Sequence, residues 1–306
     1  MTVQHPISDS IVLITGGRGF LGANLTRRLR EHGTEVHAVS RSRVVDGADG
    51  IHWVQGEIAD LGFVREILSS VKPDVVFHLS GHGVGSPDLE NVLPTFRDDL
   101  MTTINLLIGV TEQKIGRLML AASLEEPVAE NLGVPPATPY AAAKWASSTY
   151  ARMFFELYRT PIVITRPFMA YGPRQRPHKL IPHVILSLLQ GQSPKLSSGQ
   201  RPVDWVYVDD AIDGMIKAAG VSGIEGRSFD LGSGELISIR SVVERIAKII
   251  GSSAQPQFGA LPDRPLERVR VADLAPAAEY LGWKPVTSID EGLRKTIAWY
   301  QKESVK

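Results

Sequence analysis

The sequence predicts an α/β fold: a doubly wound parallel sheet with helices on both faces, followed by a smaller C-terminal lobe. Three observations carry this. An apolar run, Ile11–Ile14, breaks into a turn with glycines at Gly16, Gly19 and Gly22, and good helix formers follow from Ala23 to Arg30. Apolar runs then alternate with helical segments over the first 170 residues, as parallel strands joined by crossover helices do. Beyond residue 170 that alternation gives way to a Pro-interrupted remainder.

Composition narrows the function classes. The 306 residues balance 33 Lys and Arg against 33 Asp and Glu, without the basic excess that a nucleic-acid surface needs. There is no cysteine, which excludes disulfides, thiolate catalysis and zinc–thiolate sites. No apolar stretch approaches the ~18 residues of a membrane span, and the polar MTVQHPISDS lacks a signal-peptide core. A soluble, cytoplasmic protein that binds neither nucleic acid nor membrane is expected. The eight His show no metal-ligand spacing, so no metal is expected.

In the first turn, Gly16 bends the chain and Gly19 admits a pyrophosphate to the helix N-terminus, with Phe20 and Leu21 lining it. A second strand, Glu35–Val39, runs into Ser40, Arg41, Ser42 and Arg43. A carboxylate there would select the ribose 2′-hydroxyl of NAD(H), whereas hydroxyls and guanidiniums suit a 2′-phosphate. NADP(H) is therefore the favoured cofactor, with NAD(H) the alternative. A third strand, Ile51–Val54, leads to Gly56-Glu57-Ile58-Ala59-Asp60, and a fourth, Asp74–Leu79, ends at Ser80, Gly81 and His82. One long helix is expected near 93–111, then a strand Leu118–Ala122 delivering Ser123. The helix from Pro139 to about Tyr158 puts Tyr140 and Lys144 four residues apart, on one face. An ammonium beside a phenol favours the phenolate.

Glycines spaced GxxGxxG, a strand-end Ser and a downstream YxxxK together resemble the extended short-chain dehydrogenase/reductases. RPFMAYGP, the stretch from Gly199 to Asp210, and LGWKP extend that resemblance to nucleotide-sugar epimerases, dehydratases and reductases over nearly the whole chain. It implies a Rossmann-type cofactor domain over 1–170 and a mainly substrate-binding lobe over 171–306, with late segments returning to the first. It also implies Tyr140 as proton donor or acceptor, Ser123 as its partner, Lys144 as its tuner and a ribose contact, and Glu125 as a further catalytic group. Glu57 and Ile58 would cradle the adenine, and Leu79, Ser80 and Gly81 would lie along the ribose and nicotinamide. His82, Met169, Arg201 and Arg264 are the substrate candidates.

Several positions depart from the resembling pattern. Asp99 stands where Asn is usual, Met169 replaces a diphosphate-contacting Asn, and Val203 replaces a phosphate-gripping Arg. Arg201, two residues earlier, either takes that role or leaves it unfilled. Leu124 removes the acid of the dehydratase motif, while Glu125 survives. With the Ser40-Arg41 tail, these features favour a 4-keto-6-deoxy nucleotide-sugar reductase using NADPH. An epimerase or 4,6-dehydratase with retained NAD is the alternative, and a catalytically silent ligand sensor is the reading from another class. The helices near 95–111 and 140–158 resemble a homodimer interface, with Leu106, Leu107, Tyr150 and Phe154 as its apolar residues or as core of the chain itself.

Overall fold

The computed structural model describes residues 7–42, 50–127, 135–263 and 269–303. The chain divides into two compact units. Unit 1 comprises Met1–Arg166, Ile212–Phe229 and Pro276–Trp283, and unit 2 comprises Pro167–Ala211, Asp230–Ala275 and Lys284–Lys306.

The first unit is built on β1 (Ile11–Thr15), α1 (Phe20–Glu31), β2 (Glu35–Ser40), β3 (His52–Gln55), α2 (Leu61–Val71) and β4 (Val75–His78). A helical span follows, with α3 at Val92–Thr95, a π-helical turn at Phe96–Met101 and α4 at Thr102–Glu112. After it come β5 (Arg117–Ala121), α5 (Pro139–Tyr158) and β6 (Ile162–Pro167). With β9 (Ser228–Leu231), the strands order as β3-β2-β1-β4-β5-β6-β9. The strand pairs from β3 through β6 run parallel, Ile14 lying between Ala38 and Phe77 and Met119 between Phe77 and Val163. This is the doubly wound order expected, and it gathers the C-terminal ends of β1, β4 and β5.

Burial explains the assembly. Leu13, Val76, Leu118 and Ile164 of the central strands pack with Val64, Leu68, Leu106 and Leu107 of the covering helices. Each such side chain contributes roughly 1.5–3 kcal/mol. Leu106, Leu107 and Phe154 thus belong to this chain's own core, and the interface reading of these three is corrected; of that set only Tyr150 is exposed. The single α-helix expected near 93–111 is corrected too. An i→i+5 turn interrupts it at Phe96–Met101, and such turns often mark functional positions.

Helix starts follow local chemistry. Asp60 caps α2 by accepting from the Gly62 amide at 2.7 Å, and Thr138 caps α5 by accepting from Ala141 at 3.1 Å, with Pro139 in the first turn. Helix α1 differs, since its N-cap, Gly19, has no side chain to offer.

In the second unit, β7 (Met169–Tyr171) pairs parallel with β8 (Pro202–Tyr207), which pairs antiparallel with β10 (Leu236–Ser238). Helices α6 (Leu180–Leu189), α8 (Ile239–Ile250) and α10 (Ile289–Glu303) surround them. Asp209 and Asp210 come just after β8. They lie in the first turn of α7 (Val208–Gly220), and Asp210 accepts from the Thr287 amide at 2.9 Å and hydroxyl at 3.1 Å.

Asp204 is the most heavily bonded carboxylate of this unit among the described residues. Fully buried, it accepts from the Ser233 amide at 2.6 Å and hydroxyl at 2.8 Å, from Gly234 at 3.1 Å and from Ala272 at 2.9 Å. Asp204→Ala would deprive those donors, the buried Ala272 amide among them, of their acceptor. Urea denaturation should show a loss of about 3 kcal/mol or more, and unchanged stability would remove Asp204 as the tie between these segments.

Candidate active site

The glycine turn is set by contact. Gly16 has φ +76°, and a Cβ there would stand 2.7 Å from the Ser80 amide nitrogen. A Cβ on Gly22 would overlap the Gly16 carbonyl. The turn therefore seats α1 directly against the end of β4. The amides of Phe20 and Leu21 open the helix, where no intrahelical acceptor exists. With no side-chain cap at Gly19 and no acidic residue in the first turn, this N-terminus fits an anionic pyrophosphate.

Beneath the turn runs a buried chain of hydrogen bonds. The Ser80 amide donates to Thr15 Oγ1 at 3.3 Å, and Thr15 Oγ1 lies 2.7 Å from His78 Nδ1. His78 Nε2 lies 3.1 Å from Thr103 Oγ1, which donates to the Asp99 carbonyl at 2.6 Å. The directions agree if Nδ1 accepts and Nε2 carries the proton. Burial, reinforced by the charge of Lys144, lowers the His78 pKa to about 3, so the ring is neutral.

Asp99 sits on the π-helical turn, fully buried. Its Oδ2 accepts from the His82 amide at 3.0 Å, and its Oδ1 faces Lys144 Nζ at 3.5 Å. A Cβ on Gly81 would overlap this carboxylate. Lys144, also buried, donates to the Ala121 carbonyl at 3.1 Å, and its Nζ is 5.8 Å from the Tyr140 ring centre. Burial pulls the Lys144 pKa down, but Asp99, Tyr140 and Glu126 outweigh it and the net shift is upward. Tyr140 is half-buried. Its pKa is raised, first by burial and then by Asp99 and Glu125, against the opposing Lys144 and Ser123. Lys144 does lower the Tyr140 pKa, as expected, but burial outweighs it, and Asp99 and Glu125 add to the rise.

The strand-end turn is held by two carboxylates. Glu126, buried, accepts from the Ser123 amide and from the Ser148 hydroxyl, each at 3.0 Å, and burial raises its pKa. The Glu125 amide donates to Ser123 Oγ at 3.2 Å, and Glu125 Oε2 accepts from the capping Thr138 at 3.3 Å. Sequence reading missed the bracing role of Glu126. The two adjacent Glu were visible, but only the fold distinguishes the inward one.

The other candidates fall in three places. Ser40 ends β2, and Arg41 at the surface pairs with Asp98 at 3.1 Å, with exposed Ser42 beside it. Glu57 pairs with Arg97 at 3.2 Å, while buried Ile58 gives its carbonyl to Asn105 at 3.0 Å. Leu79 follows β4, its amide bonded to the Thr15 carbonyl at 3.2 Å. His82 donates from Nε2 to Asn91 at 3.0 Å, which ties the ring to its own unit. Met169 opens β7 and Arg201 directly precedes β8, both in the second unit. Arg43 and Arg264 lie outside the described residues.

A family model described as the NAD dependent epimerase/dehydratase family matches residues 12–232. The chain is 31% identical to a UDP-glucose 4-epimerase of Mycolicibacterium smegmatis, over 95% of this chain and 99% of that one. It is 29% identical to a dTDP-glucose 4,6-dehydratase of the same organism, over 95% of this chain and 93% of the relative. Among solved structures, the Bordetella bronchiseptica enzyme WbmF, in complex with NADH, superposes with a TM-score of 0.82 at 26% identity, covering 98% and 94% of the two chains.

The charge balance at Tyr140 can be tested by ultraviolet difference titration of wild type against Tyr140→Phe. Tyr140 should ionise above its ordinary value near 10. In Asp99→Asn one raising charge is gone, so the ionisation should move to lower pH. An unmoved titration would show that Asp99 does not control the phenol.

Proposed function

Because this chain belongs to the NAD-dependent epimerase/dehydratase family, extended short-chain dehydrogenase/reductase enzymes of nucleotide sugars, we propose that it epimerises a nucleotide sugar at C4 with retained NAD(H). One observation carries this reading: Ser123 hydrogen-bonds Tyr140 and Lys144 stands beside it, in the same compact unit as the uncapped start of α1. A full-length relative named as a UDP-glucose 4-epimerase supports a UDP-hexose as substrate. In this reading unit 1 holds the cofactor and unit 2 supplies substrate contacts, Met169, Arg201 and Arg264 among them.

When bound, the nicotinamide supplies the acceptor and donor of hydride at the sugar carbon. The amides of Phe20 and Leu21 would hold the pyrophosphate, Glu57 and Ile58 would border the adenine, and Leu79, Ser80 and Gly81 would lie along the ribose and nicotinamide. Tyr140 accepts the C4 hydroxyl proton as that carbon is oxidised and returns it to the ketone oxygen on reduction. Ser123 hydrogen-bonds the same oxygen, held in place because Glu126 fixes its amide. Lys144 supplies the positive charge that makes proton acceptance feasible. Leu124 offers no proton for a departing hydroxyl, which argues against a 4,6-dehydratase.

Two observations favour a second reading, the NADPH-dependent 4-keto-6-deoxy sugar reductase. A phenol whose pKa is held up is better suited to donating than to accepting. The end of β2 carries Ser40, Arg41 and Ser42 with no carboxylate among them. Against NADP(H), Arg41 is already paired with Asp98, whose charge would repel a 2′-phosphate.

Nucleotide released from freshly purified protein separates the two. An epimerase should carry NAD(H) near one per chain and interconvert UDP-glucose and UDP-galactose with none added. Tyr140→Phe should slow that interconversion at least ~100-fold. Protein that arrives without nucleotide, and oxidises NADPH in step with reduction of a 4-keto-6-deoxy sugar, would replace this reading with the reductase.

A homodimer is proposed as well, supported by an exposed apolar ridge in unit 1. Leu93 and Phe96 lie beside α5, which exposes Tyr150, Met153 and Leu157. Phe96→Glu with Leu157→Glu should yield monomers by light scattering, and an unchanged mass would place any interface elsewhere.

A further inference from the structure

At the other end of the sheet from the glycine turn, three metal-ligating side chains converge. The parallel register of β2 and β3 sets His37 opposite His52. Glu35, two residues before His37, shares its face of the sheet. Glu35 and His52 are each the first residue of their strand and are exposed, while His37 is half-buried. His37 Nε2 lies 2.8 Å from Glu35 Oε1. The two imidazoles stack with centres 4.8 Å apart and planes 26° from parallel. One ligand atom from each residue falls within 4.8 Å of the others. Sequence spacing concealed this, because the third ligand arrives from a neighbouring strand 15 residues later.

We propose that Glu35, His37 and His52 form a binding site for a divalent transition-metal ion, with Zn²⁺ as the natural candidate. Two imidazoles and one carboxylate suit Zn²⁺ and its neighbours rather than Mg²⁺ or Ca²⁺, which prefer all-oxygen sites. Zinc bonds of about 2.1 Å require ligands about 3.4 Å apart in a tetrahedral site. The present spread reaches that by small rotations of side chains that are largely free to turn. Three protein ligands leave the remaining position to water.

The ion would act as a structural link. β3 is the outermost strand of the sheet, and its four residues are a short ladder. A metal bridging His37 and His52 would fasten this edge to β2. The site lies behind Ser40 and Arg41 along β2, its imidazoles about 10 Å from Ser40 at 3.3 Å per residue and Glu35 farther. Its effect should therefore fall on stability rather than on the chemistry proposed above.

The test uses untagged full-length protein, cleared of metal by a chelator and titrated with Zn²⁺ by calorimetry. One ion per chain should bind, and its addition should raise the thermal midpoint. His52→Ala and Glu35→Gln alter exposed side chains and should keep the fold. Each should weaken binding at least tenfold and lose the thermal shift. His183→Ala, an exposed histidine elsewhere, should match wild type. Bound Cu²⁺ in the same site should show two imidazole nitrogens by electron paramagnetic resonance. Wild-type affinity in His52→Ala, or copper coupled to fewer than two nitrogens, would overturn the site.

Discussion

The buried pair between Asp99 and Lys144 is the interaction on which the active-site unit depends. At 3.5 Å and an effective dielectric near 20, their attraction is about 5 kcal/mol. Removing two ions from water costs several kcal/mol each. The pair therefore adds little net stability, and its consequence is positional and electrostatic. It fixes a cation beside Tyr140, and its carboxylate opposes that cation's effect on the phenol. The Asp99 main chain also receives the Thr103 hydroxyl at 2.6 Å and the Ser147 hydroxyl at 3.4 Å. One residue thereby joins α4, α5 and the end of β4.

That arrangement needs the π-helical turn. Three consecutive residues in it reach three different places: Arg97 pairs with Glu57 after β3, Asp98 with Arg41 after β2, and Asp99 with Lys144 of α5. On a regular α-helix, adjacent side chains diverge by about 100°, following 3.6 residues per turn. Here the sheet's C-terminal edge surrounds the turn, so divergence becomes an asset. Each side chain finds a different loop of the nucleotide-facing rim. Gly81 completes the fit, because any Cβ there would displace the Asp99 carboxylate.

Much of this was legible in sequence. The doubly wound parallel sheet followed from alternating apolar runs, and the glycine turn, strand-end Ser123 and paired Tyr140 and Lys144 from local spacing. These features are short-range, so one segment contains both cause and effect. What was not legible depends on residues far apart in the chain. Asp99 was visible as a departure from Asn, but its control over Tyr140 required knowing that Lys144, 45 residues later, stands against it. Leu106 and Leu107 looked equally suited to an interface or a core until α2 was seen covering them. Glu35, His37 and His52 escaped notice because a parallel register, unlike a helical spacing, cannot be read from one segment.

The same reasoning explains why the reaction is harder to read than the fold. Epimerisation and ketone reduction, as proposed, would use the same three side chains, and each would depend on how readily Tyr140 parts with its proton. That readiness is a sum over Lys144 and Ser123 on one side and burial, Asp99 and Glu125 on the other. A neutral Asn at position 99 would keep the shape and change the sum. Substituting Asp for Asn adds a single charge at a buried position, and it leaves every motif used to recognise the family intact. On the proposed chemistry, the charge around Tyr140 is set partly outside those motifs, by a carboxylate in a helical turn.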